Sequence, residues 1–166
     1  LSAPSVTFDT QATETTISGE TTFNNLSCAT ASKTIKFTQG TNQTVNGTLT
    51  LTGGSGAGEK ITLVSTVNTQ KWDITFPNGT QAVSYVDVRD SDANTNIVSC
   101  YNSDDTGNNN ANWVFSTIAI TSPTVGKTIG TTPVVRGTAG AGDTVLIKDK
   151  DNTTVLTTTA DANGNF

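Results

Sequence analysis

The stretch "DSDANTN" places Asp90, Asp92, Asn94 and Asn96 at alternating positions. Oxygen-bearing side chains at that spacing could line a calcium loop, because Ca²⁺ takes a large shell of oxygen ligands. "DKDN" and "DANGN" repeat the theme further along the chain. None of the three runs ends in the bidentate Glu that completes an EF-hand loop. The competing reading is turn chemistry, in which Asp and Asn side chains bond their own backbone. The calcium candidate carried forward is Asp90, Asp92, Asn94 and Asn96. The same neighbourhood holds Asp87, Asp90 and Asp92 around Arg89. Paired carboxylates of that kind serve glycoside cleavage, one as acid and one as base or nucleophile. An outward Asp87 beside Arg89 is equally a solvated charge pair.

Histidine is absent from the chain. That removes Ser-His-Asp and Cys-His catalysis and the commonest transition-metal ligand. With few acids and few aromatic platforms for a sugar, the expectation is a protein that is not an enzyme and needs no cofactor. Two cysteines remain, Cys28 and Cys100. Two sulfurs without a histidine make a poor zinc site. The readings left are one disulfide in a secreted protein or two small buried apolar residues. The disulfide is preferred. It would close a loop of roughly 70 residues and contribute on the order of 4 kcal/mol on the chain-entropy model.

Threonine offers one further chemistry. "TLTLT" presents a rank of outward Thr residues such as an ice-binding face would use. Neighbouring candidate strands supply Thr62, Thr75 and Ser84 without repeating the pair. Thr as an outward β-former accounts for the pattern. Trp72, Phe76, Tyr85, Trp113 and Phe115 could stack on a ligand, but most fall in phase with Ile and Val on their strands, which reads as core.

The elements that must position these residues are strands. Thr, Asn, Gly and Ser fill the space left by a low charged fraction of 14%. Thr suits a pleated surface, and Asn and Gly suit tight turns. The net charge is −5 with Lys and Arg scattered singly, so clustered cations for nucleic acid are missing. No apolar run is long enough to span a bilayer. The chain has no Met, which is expected of a processed protein or a piece of a longer one.

From 34 to 115 the sequence alternates apolar with polar over short segments: 34–37, 44–53, 61–66, 71–76, 82–90, 96–102 and 112–115. Such alternation marks half-buried strands. Strand centres recur roughly every dozen residues between Gly, Asn and Asp turns, so a sandwich or a β-solenoid fits. Residues 1–33 carry weaker strands and read as a cap of the same domain. Beyond 116, strands at 118–121, 133–137, 143–149 and 153–159 have hairpin spacing and are expected to be antiparallel.

Two resemblances sharpen this. "PVVRGTAGAGDTVLIKDKDNTTVLTTTADANGNF" resembles the bacterial Ig-like repeats of large surface proteins, on Gly137 to Ala139, Gly142 to Val145 and Thr158 to Phe166. "GTLTLTG", "ITLVST", "VSYVDVRDSDA" and "NSDDTGNNNANWVF" resemble short right-handed parallel β-helix modules of secreted and cell-surface proteins. The resemblances imply an all-β chain: a right-handed parallel β-solenoid over 1–116, then an incomplete antiparallel Ig-like sandwich over 117–166. They imply an extracellular or cell-surface structural role, by self-association or as part of a larger surface protein. The alternative is an adhesin-type module binding glycan. Assembly is expected through β edges at Val155, Thr157 and Phe166, with "LSAPSVTF" and its Val6 and Phe8 as a candidate donor strand.

Overall fold

The computed structural model describes residues 4–9, 13–77, 79–94, 96–107, 109–123, 130, 134–148, 151 and 153–166. The chain divides into two compact units, Leu1–Phe115 and Ser116–Phe166. No helix occurs among the described residues, and none is long and apolar enough to cross a membrane.

The first unit is a solenoid with three strands in each coil. The first coil holds β1 (Val6–Phe8), β2 (Glu14–Ile17) and β3 (Thr21–Phe23), and the second β4 (Leu26–Cys28), β5 (Thr34–Phe37) and β6 (Asn42–Val45). The third holds β7 (Thr48–Thr52), β8 (Ile61–Ser65) and β9 (Trp72–Thr75), and the fourth β10 (Thr80–Ser84), β11 (Val86–Val88) and β12 (Ser91–Asp92). β13 (Val98–Tyr101), β14 (Asp104–Asp105) and β15 (Trp113–Ser116) complete the stack. Equivalent strands of successive coils pair in parallel. The first sheet runs β1-β4-β7-β10-β13-β15, the second β2-β5-β8-β11-β14 and the third β3-β6-β9-β12. Among the described residues before 34, β1, β2 and β3 belong to the first coil and β4 begins the second.

Alternation within each strand builds the core. Leu26, Cys28, Leu49, Leu51, Val83, Val98 and Cys100 of the first sheet are buried, as are Ile35, Phe37, Ile61, Leu63, Val86 and Val88 of the second. The third sheet contributes Phe23, Val45, Trp72 and Ile74. Phe37 stacks on Trp72 with ring centroids 3.7 Å apart, and Trp113 meets Trp72 edge-on at 6.3 Å. Aromatic pairs in these geometries add to their area burial. Trp72 therefore links coils that are distant in sequence.

Coil length is irregular. The register Val6↔Leu26, Leu26↔Leu49, Leu49↔Gln81 and Val83↔Cys100 gives steps of 20, 23, 32 and 17 residues. The long step carries the Gly-rich loop 53–60 at the corner between β7 and β8. The short step turns its corners with single left-handed residues, Tyr85 (φ 53°) and Asp90 (φ 54°). Asp tolerates that conformation, whereas an aromatic residue there is strained by about 1–3 kcal/mol.

The second unit is antiparallel. β16 (Ala119–Ser122) pairs with β17 (Arg136–Thr138), and β18 (Thr144–Lys148) pairs with β19 (Thr154–Thr159). Residue 133, expected to start a strand, lies outside the described residues. The last residues add a further rung: Phe166 and Gly137 exchange two backbone hydrogen bonds, each 3.0 Å. The core here is small, comprising Ala139, Val145 and Ala160 with the half-buried Phe166.

Candidate functional site

The calcium-like run is dispersed by the corner it occupies. Asp90 is buried, and its Oδ1 accepts the Thr69 N–H at 3.1 Å and the Asn109 side-chain amide. Its own N–H donates to Asn109 Oδ1 at 3.0 Å, while its Oδ2 is buried without a partner. Asp92 lies on the outer face of the third sheet and accepts from Asn112 Nδ2 at 2.9 Å. The Asn94 N–H bonds Ile74 O at 3.1 Å, and the Asn96 amide donates to Phe76 O. Alternation across a corner thus sends these side chains to different places. Among the described residues no three His, Cys, Asp or Glu are grouped to hold a metal ion. In "DANGN", Asp161 Oδ1 accepts the backbone N–H of Asn163 at 2.8 Å and of Asn165 at 2.9 Å. These bonds, Asn165 first, hold its carboxyl below the usual range. Asp149 and Asn152 of "DKDN" lie outside the described residues.

The expected disulfide is corrected. Cys28 and Cys100 are both free and buried. The register Cys28↔Leu51, Leu51↔Val83 and Val83↔Cys100 sets them three strand spacings apart, about 14 Å at ~4.8 Å per spacing. A disulfide needs Cα atoms within about 7 Å. Burial pushes the Cys100 thiol up to about 12.

A charged cleft of about 330 Å³ opens on the outer face of the second sheet, beside loop 53–60. Its floor is an outward column in which Thr62 pairs with Asp87 and Asp87 with Asp104. Lys60 Nζ lies 2.6 Å from Asp104 Oδ2, and Arg89 Nη2 lies 3.0 Å from Asp87 Oδ2. Thr106 Oγ1 donates to Asp87 Oδ1 at 2.6 Å. The loop folds around Glu59, whose backbone O accepts from Gly54 N–H at 2.9 Å and whose carboxylate accepts from Gly56 N–H at 3.0 Å. Ser32 ties the loop to the second coil through Gly58 O at 3.0 Å. Gly53 is needed at its root, because a Cβ there would lie 2.1 Å from Tyr85 O.

The acid cluster read from sequence is thereby taken apart. Asp87 faces out from the second sheet, Asp90 is buried in a corner and Asp92 faces out from the third sheet. Asp104 stands beside Asp87 instead, a juxtaposition that sequence reasoning missed. The signal is the short coil: Asp104 follows Asp87 by the same 17 residues that separate Val83 from Cys100. The threonine rank fares similarly. β7 is flanked by β4 and β10, so Thr50 stands between Ser27 and Ala82, while Thr62 and Thr75 belong to the other sheets.

The second unit exposes several large apolar side chains. Ile120 is 64% exposed, Val155 61% and Leu146 53%. A groove of about 360 Å³ runs between Ile118, Ile120, Val135, Val145, Ile147 and Phe166. Val155 and Thr157 lie exposed on β19, whose described strand partner is β18. The proposed donor segment is placed elsewhere. Val6 and Phe8 sit on β1, the end strand of the first sheet, paired in register with β4 and packed on the solenoid core.

No family model matches the chain, and no match was found among curated proteins or solved structures. The geometry alone carries the functional reading.

Proposed function

We propose that this chain is an extracellular, non-enzymatic structural β protein, a cell-surface or fibre-forming segment that assembles through β edges. In this reading the solenoid is a right-handed β-helix that acts as a spacer. Residues 117–166 are the opening strands of an Ig-like module. The observation that carries it is the exposed apolar surface of the second unit, where Ile120, Leu146 and Val155 stand in solvent beside a four-residue core. Contiguous exposed apolar surface marks an interaction site, and unpaired strand edges template pairing with another strand. The partner is a further β segment, from a neighbouring subunit or a larger surface protein, added by β-augmentation. No metal or cofactor enters this role.

Sedimentation and electron microscopy of the purified protein test it. Concentration-dependent oligomers or filaments are expected, and Leu146→Lys with Ile120→Lys should abolish them while the solenoid's melting transition persists. A monomer at every concentration that also fails to take up an added β-strand peptide would overturn it.

A further inference from the structure

We propose that the cleft beside loop 53–60 binds an uncharged, hydroxyl-rich ligand, a saccharide unit. This goes beyond edge assembly and is independent of it, since the cleft lies wholly within the solenoid. Its volume of about 330 Å³ is at the small end of the ~300–1,000 Å³ of ligand pockets. It also sits where the coil repeat is broken. The 32-residue step inserts a loop at one corner, and inserted loops on a rigid scaffold are where binding groups concentrate.

The chemistry of the lining selects the ligand class. Asp87 and Asp104 are acceptors, held one strand spacing apart by their parallel register. Lys60 is a donor on the lining, paired to Asp104, and Arg89, outside the lining, is paired to Asp87. Each acid is already ion-paired, so neither an anion nor a cation gains a large Coulomb term there. Alternating donors and acceptors instead complement hydroxyl groups, which donate and accept at once. A carboxylate takes hydrogen bonds from neighbouring hydroxyls, and a charge-assisted bond is stronger than a neutral one. The ion pairs prepare the site, because they fix the side chains before a ligand arrives. Ser55, Gly56, Ala57 and Gly58 form the rim, and their small side chains leave the mouth open.

NMR titration of the whole chain with maltose, cellobiose and chitobiose, preceded by a neutral glycan array, tests the proposal. At least one probe should bind, with shifts confined to the amides of 55–62, 87–89 and 104–106. Asp104→Ala and Asp87→Ala should each weaken binding by at least 10-fold, as should Thr62→Arg, which fills the floor. Glu14→Gln, outside the cleft on the same sheet, should change nothing, and neither should added NaCl. An unchanged melting temperature certifies each variant. Absence of binding across the array and the three sugars overturns the proposal. So does binding that survives all three cleft variants. Preferential binding of spermidine that collapses with salt would mark an acidic site and overturn it as well.

Discussion

Cys28 and Cys100 occupy one inward column of the first sheet, with Leu51 and Val83 between them. Both thiols are buried, and that of Cys100 is pushed up to about 12 by desolvation. Burial keeps reagent from both thiols, and at Cys100 the reactive thiolate is also disfavoured, so neither residue should be alkylated in the native protein. Iodoacetamide followed by mass spectrometry should find both unmodified until denaturant is added. Dithiothreitol should leave the melting temperature unchanged. A reductant-induced drop would mean the column is not as described.

Trp72 is fully buried, stacked on Phe37 of the coil before and edge-on to Trp113 near the end of the stack. Its Nε1 also donates to Arg89 O at 3.2 Å. Trp72→Ala removes a large packed ring from the centre of the core. Urea unfolding should show a loss of about 3–5 kcal/mol, the range for aromatic-to-alanine changes in cores. The equivalent change at half-buried Phe8, in the first coil, should lose clearly less.

Asp73 and Asp92 are register partners on the outer face of the third sheet. Burial, then the Asp92 charge, raises the Asp73 carboxyl above its ordinary value, with Lys71 opposing. A raised carboxylate binds its proton more readily folded than unfolded. Stability from this group is therefore greatest below the ordinary Asp value and falls as pH rises through the folded value. Asp73→Asn should melt slightly higher than the native protein at pH 7. The difference should vanish on acidification below the ordinary Asp range, as thermal melts across pH will show.

Asp161 titrates in the opposite sense. Its carboxyl is held low by the Asn165 and Asn163 N–H groups, so its contribution is present above the ordinary Asp value and lost as pH falls through the folded one. The turn it closes delivers Phe166 to Gly137. Asp161→Ala should free that rung, and hydrogen exchange should show lost protection at Gly137 and Phe166 with solenoid amides unchanged. Asp161→Asn retains an acceptor oxygen and should keep the protection while losing its pH dependence.

Much of the fold was legible because side-chain alternation decides which residues face in. "TIKF" at 34–37 is β5 as it stands, and Trp72, Ile74 and Phe76 share one buried face. Corners were harder to see. The single segment 44–53 is two strands, β6 and β7, bent at Asn46-Gly47, and 82–90 is split at Tyr85. Across Asn46-Gly47 the in–out phase is kept, with Val45 and Leu49 both facing in, so periodicity gives no sign of the change of sheet; at Tyr85 it slips, with Val83 and Val86 both buried three residues apart.

By itself the sequence determined an all-β chain, its inward and outward residues, the turn at Asp161 and a change of character near Ser116, because all of these follow from local period and turn chemistry. Only the tertiary structure decided which coil lies on which. That choice depends on unequal coil lengths, and it separates Cys28 from Cys100 and sets Asp104 beside Asp87, while the corner at Asp90 parts Asp87 from Asp92. The charged cleft exists through that stacking, since its walls come from three successive coils that no local pattern brings together.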